Sequence, residues 1–214
     1  MLSSGPSKAT WGSAEMRVFL LGTGRTGSST LARAFSHATN FTAAHESRID
    51  VVEGRLDYPD GHIEADNRLS WFAGSLALRY PDALFVHLTR SHDEVVDSYR
   101  KRMRDSWPRL GRLRSDLTRS LREDRRLSIV DGFAHSIIHR KAPWEHEEIE
   151  SVVRLYCQTV DDNVALLLEH HDSARIDLST VVPDFTAVWE RIGAEGDLSA
   201  AVAELSIRHN ASGA

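Results

Sequence analysis

The amino-acid sequence predicts an α/β fold, a mostly parallel sheet flanked by helices in three layers. Three observations carry that expectation. Two short apolar runs, RVFLL at 17–21 and ALFVHLT at 83–89, lack polar alternation and read as strands buried on both faces. Helix-period patterns stand between the strand candidates, as parallel strands joined by crossovers require. The first apolar run ends in a glycine loop that opens directly into a helical pattern.

The elements follow in order. Residues 1–15 are small and polar, without the apolar core of a signal peptide, and read as a flexible lead-in. The strand at 17–21 ends at Gly22, the loop runs over 22–27, and 28–37 is helical with Leu31, Ala34 and Phe35 on one side. Residues 41–46 and 62–66 read as short strands. A helix is predicted over 69–80, stopped by Pro81, then a strand over 83–89. Ser91 caps a helix over 91–103, with Asp93 and Glu94 in its first turn. From 105 to 141, Pro108, Gly111 and Gly132 punctuate helical fragments with arginine-rich faces. One long helix spans 144–171, its stripe running through Val152, Tyr156, Val160, Val164 and Leu167. A last strand at 174–178 and short helices at 185–192 and 198–205 complete one domain over 16–210. The segment 104–143 reads as a lid or insertion over an acceptor site.

Composition excludes several classes. A single cysteine, Cys157, allows neither an internal disulfide nor a cysteine-based zinc site, and the long-helix pattern makes it a core residue. No apolar run approaches the roughly 20 residues that span a bilayer, which predicts a cytoplasmic protein with no membrane span. The 214 residues carry a net charge of −5, yet residues 100–126 hold eleven Lys and Arg against four Asp and Glu. Such an island suits an anionic ligand or a solvated helical face. It has only Trp107 as an interleaved aromatic, so no stable nucleic-acid partner is expected.

The strongest local signal is GTGRTGSST, Gly22 to Thr30, between a strand and a helix. Glycines let backbone N–H groups converge on an anion, and a helix N-terminus adds partial positive charge. The loop follows the Walker pattern G-x-x-x-x-G-K-[ST] at Gly22, Gly27 and Ser29, but Ser28 stands where the lysine belongs. The cation is instead Arg25, inside the loop. A second constellation is FVHLTRSHDEVVDSYRKR, 85–102, in which Arg90 follows a buried strand and Ser98 lies eight residues on. In an open parallel sheet, both segments reach the crevice at the carboxyl ends of the strands.

On these residues the chain resembles sulfotransferases that use 3′-phosphoadenosine 5′-phosphosulfate (PAPS). Their strand–loop–helix segment K/R-[ST]-G-[ST]-[ST] is matched by Arg25, Thr26, Gly27, Ser28 and Ser29. Their strand-end Arg, with Ser eight positions later, is matched by Arg90 and Ser98. The stretch 80–90, YPDALFVHLTR, is similar to the family's "fPdAkfIhlvR", and Ile176, Asp177 and Leu178 to its late strand. Arg208, His209 and Asn210 are similar to its closing basic segment. The resemblance implies a P-loop NTPase-like fold. It also implies that Gly24 to Ser29 hold the 5′-phosphosulfate, that Arg90 and Ser98 hold the 3′-phosphate, and that Arg208 and Asn210 close over the nucleotide. PAPS is then the co-substrate, adenosine 3′,5′-bisphosphate (PAP) the product, and no metal is needed.

The chemistry implied is sulfuryl transfer to a hydroxyl or amine of a small molecule, glycan or lipid, by in-line attack. Arg25 is assigned to charge on the leaving oxygen, because it stays ionised at any working pH. A base must take the acceptor's proton. Glu46 is the first choice, since Glu46-Ser47-Arg48 resembles the Glu-Thr-Arg of tyrosylprotein-type enzymes. His45 is the second, and Glu64 and Asp66 form another candidate cluster. In an extended segment His45 and Glu46 point to opposite faces. Trp71, Trp107 and Trp144 suit an acceptor pocket or the core, and His170-His171 a helix end. A homodimer is compatible with the sequence. The alternative reading is an atypical P-loop kinase or nucleotide-binding protein.

Overall fold

The structure, a computed structural model, describes residues 16–106, 129–138 and 146–207. The lead-in 1–15, most of 104–143, Trp107, Trp144, Arg208 and Asn210 lie outside the described residues. Five parallel strands make one sheet: β1 (Arg17–Gly22), β2 (Thr42–His45), β3 (His62–Ala65), β4 (Leu84–Thr89) and β5 (Ser173–Asp177). Their order is β2-β3-β1-β4-β5, so β1 is central, with Leu20 beside Ala65 of β3 and Val86 of β4.

The helices are α1 (Ser28–Phe35), α2 (Ala73–Arg79), α3 (His92–Ser106), α4 (Ile129–Gly132), α5 (His146–Leu168), α6 (Val181–Arg191) and α7 (Leu198–Leu205). They cover both faces of the sheet, because the strand alternation sends apolar side chains both ways. Phe19 and Leu21 face a core built with Val95 and Tyr99 of α3 and Val153, Tyr156 and Val160 of α5. Val18 and Leu20 face the opposite core, with Leu31 and Phe35 of α1 and Phe185 and Trp189 of α6. All four β1 side chains are at most 1% exposed. Each contributes roughly 1.5–3 kcal/mol by burial, which explains why the least polar segment takes the middle position.

Among the described residues the expected elements are present, with three differences that have local causes. The pattern at 69–80 is not one helix: a 3-10 turn over Asn67–Phe72 precedes α2. The Asp66 carboxylate caps that turn by accepting the Arg68 N–H at 2.8 Å. β2 stops at His45, because Glu46 adopts a left-handed backbone (φ 52°). α6 begins at Val181, earlier than expected, with Pro183 in its first turn, where an intrahelical N–H is not needed.

The chain runs from β1 to the β2–β3 side and then crosses to β4 and β5. The carboxyl ends of β1 and β4 therefore flank a topological switch point, the usual crevice for ligands in such sheets. Gly22 pairs with Leu88 in the ladder, so the loop after β1 and Arg90 after β4 emerge side by side.

Candidate anion site

The loop after β1 is braced from several elements. The Ser70 hydroxyl of the 3-10 turn accepts the Gly22 N–H at 3.2 Å and lies 3.3 Å from the Gly22 carbonyl. Thr26 Oγ1 donates to the Thr23 carbonyl at 2.7 Å, closing the loop on itself. Gly24 N–H donates to the Tyr156 hydroxyl of α5 at 3.2 Å. A Cβ on Gly24 would collide with the Tyr99 hydroxyl and stand 2.8 Å from Asn67 Nδ2, so any side chain there must displace them. Gly27, at φ 80°, is the N-cap of α1 and supplies no side-chain cap, and no acidic residue sits in the first turn. No carboxylate in its own first turn therefore offsets the positive end of α1.

Arg25 is the one arginine with a left-handed backbone, at φ 74°, among the described residues. Its Nε donates to Ser98 Oγ of α3 at 2.8 Å. Arg90 donates from Nη1 to the Arg25 carbonyl at 3.0 Å. The three residues predicted for two separate sub-sites, Arg25, Arg90 and Ser98, are therefore joined in one cluster. Arg90 Nε lies 3.5 Å from Glu94 Oε2 but makes no hydrogen bond among the described residues.

No family model matches this chain, and no curated protein matches it. The arrangement of charge and backbone is therefore what speaks for a ligand. Two guanidinium groups, a serine hydroxyl, a glycine loop and an open helix N-terminus meet at the sheet's switch point, a setting for phosphate or sulfate groups.

The base candidates fall into unlike environments. Glu64 is fully buried, and its carboxylate accepts from Ser47 N–H at 2.8 Å and Ser47 Oγ at 2.6 Å, with His62 Nε2 at 3.1 Å. Asp66 is fully buried, paired with Arg55 and bonded to the Arg68 N–H. Burial pushes its carboxyl above the ordinary range despite those partners. Glu46 forms an ion pair with Arg68 Nη1 at 2.8 Å near the surface. His45 Nε2 stands 3.0 Å from Ser28 Oγ, the first residue of α1. Of the four, His45 is hydrogen-bonded to the loop–helix junction itself.

Several contributors carry no local motif. Ser70, Tyr99 and Tyr156 brace the loop from distant elements. Trp71 is packed at 5.6 Å from the Phe133 ring and 6.4 Å from Tyr156, on the core side. Cys157 is buried, as expected, and burial pushes its thiol up to about 12. Asp161 of α5 bridges His87 (3.1 Å) and His92 (2.7 Å), beside an open cleft of about 620 Å³ that Arg90, Arg175 and Asp177 also line. Among the described residues no helix is long and apolar enough to cross a membrane.

Proposed function

We propose that this chain transfers a sulfuryl group from PAPS to a hydroxyl or amine of a small-molecule, glycan or lipid acceptor, on a P-loop-like variant of the parallel α/β fold. The observation that carries the reading is the union of Arg25, Arg90 and Ser98 at the switch point. Arg25 is more than sixty residues from the other two, and each belongs to a donor-binding motif of the resembling family. The loop backbone from Gly24 to Ser29 and the start of α1 receive the 5′-phosphosulfate. Arg90 and Ser98 receive the 3′-phosphate, and Arg25 stands between the two anions.

His45 is the better supported base, because its contact with Ser28 holds its imidazole at the edge of the loop. Glu64 and Asp66 are buried with their oxygens engaged. In the transfer step, the acceptor oxygen or nitrogen attacks sulfur and gives its proton to His45. The bond between sulfur and the phosphate oxygen breaks, and the negative charge on that oxygen falls to Arg25 and the loop amides.

The test is calorimetric binding of adenosine 3′,5′-bisphosphate with EDTA present, beside ATP with magnesium. Micromolar or tighter metal-free binding of the bisphosphate is expected. Magnesium-dependent ATP binding without bisphosphate binding would overturn the proposal in favour of an atypical kinase.

A further inference from the structure

Helix α5 reaches the loop after β1 through consecutive residues. Tyr156 is fully buried, and its hydroxyl accepts the Gly24 N–H at 3.2 Å. The next residue, Cys157, lies beside the side chain of Thr23, itself buried in the loop. One turn further, Asp161 holds His92 at 2.7 Å, the residue that opens α3 just after Arg90 and Ser91. A single face of α5 thus holds both anion-binding segments. A second phenol, Tyr99, follows Ser98 on α3. The Tyr156 and Tyr99 rings meet edge to face at 6.4 Å, and the same Tyr99 hydroxyl leaves no room for a Cβ on Gly24.

We propose that Tyr156 is a positioning residue for the anion loop. Gly24 N–H is buried beneath the loop, where water cannot replace a lost partner. The phenol supplies that partner from the core side, so the loop need not turn Gly24 inward to a carbonyl. The turn at Arg25, left-handed and disfavoured for a non-glycine residue, follows directly. Holding Gly24 therefore sets where the Arg25 guanidinium and the following amides lie. Burial keeps the Tyr156 phenol neutral far above its ordinary range, which suits a structural acceptor and excludes a base.

The inference rests on the proposed nucleotide site for its ligand, but not for its test. Tyr156→Phe keeps the ring and its contacts with Trp71, Tyr99 and Phe133, and removes only the hydroxyl. Gly24→Ala disturbs the same seat from the loop side, because its Cβ would meet the Tyr99 hydroxyl and Asn67 Nδ2. Two measurements apply to each variant and to the double variant: amide exchange of residue 24 by NMR, and calorimetric affinity for adenosine 3′,5′-bisphosphate. In Tyr156→Phe the amide of Gly24 is expected to exchange faster. In each single variant the bisphosphate is expected to bind about threefold to tenfold more weakly, the span of one lost hydrogen bond. The double variant is expected to lose less than the sum of the two single losses, because both disturb the seating of Gly24 against the Tyr99 and Tyr156 hydroxyls. A purely structural tyrosine would lower the unfolding midpoint and leave affinity and non-additivity untouched, which overturns the inference. If the unmodified protein does not bind the bisphosphate, the nucleotide reading fails. Gly24 exchange then decides alone: faster exchange in Tyr156→Phe upholds the positioning role and unchanged exchange overturns it.

Discussion

Replacing Arg90 with alanine removes one cation from the site and one tie on the loop. Arg90 Nη1 donates to the Arg25 carbonyl at 3.0 Å, while its Nε has no hydrogen-bond partner among the described residues. Its ion pair with Glu94 is long, at 3.5 Å, and Glu94 is 59% exposed. An exposed pair of that kind contributes about 0–1 kcal/mol, so the variant should remain folded with a small loss of stability. Hydrogen bonds to a charged group contribute about 1.5–3 kcal/mol, which corresponds to about 10- to 150-fold in affinity. Titration calorimetry with adenosine 3′,5′-bisphosphate should show a loss in that range for Arg90→Ala. The decisive comparison is with adenosine 5′-monophosphate, which lacks the 3′-phosphate. The unmodified protein should prefer the bisphosphate, and Arg90→Ala should lose most of that preference. Affinity within about twofold of the unmodified protein would refute the argument, since that is less than one lost neutral hydrogen bond typically costs. Equal losses for both ligands would refute the 3′-phosphate assignment and leave Arg90 as a support for Arg25.

Three further outcomes are expected. With an acceptor that turns over, His45→Ala should lower kcat by about 10²–10⁴-fold at unchanged bisphosphate affinity, and Glu46→Ala by far less; the reverse order would return the base to Glu46. Phe185→Ala should cost about 3–5 kcal/mol in urea unfolding, because the ring is fully buried and stands 4.6 Å from Phe35; a loss below about 1 kcal/mol would mean the core closes over the gap. For Asp161, burial raises the carboxyl, but hydrogen bonds from His87 and His92 outweigh it and leave the group below its ordinary value. A depressed carboxyl stabilises the fold above its unfolded value of about 3.9 and loses that contribution as pH falls through the lower folded value. Asp161→Asn should therefore be less stable than the unmodified chain near neutrality, with the gap narrowing under acid; parallel curves down to low pH would contradict it.

The strands were legible because their signal is local. β1 and β4 are continuous apolar runs, and a strand buried on both faces needs nothing more from its sequence. The stretch from Asn67 to Arg79 shows where this stops. Its apolar spacing fits a helix, but periods of 3.0 and 3.6 residues diverge little over six positions. The difference matters here, because the 3-10 turn is what carries Ser70 to Gly22. Glu46 raises the same issue. An extended chain would have set His45 and Glu46 on opposite faces, but the left-handed turn at Glu46 ends the strand and carries that side chain to Arg68 instead.

The motif GTGRTG identifies a backbone cradle, yet it cannot say where Arg25 points. A non-glycine residue at φ 74° costs on the order of 1–3 kcal/mol. Three hydrogen bonds oppose that cost: Gly24 to Tyr156, Arg90 to the Arg25 carbonyl, and Arg25 to Ser98. At about 0.5–1.5 kcal/mol for the neutral bond and about 1.5–3 kcal/mol for each guanidinium bond they are of the size required, and every partner lies outside the loop. Beyond its own glycines, the loop's shape is therefore set by Arg90 after β4 and by α3 and α5. Losing any one partner should loosen the others, which is why Arg90, Ser98 and Tyr156 are expected to couple in pairwise substitutions and not to add.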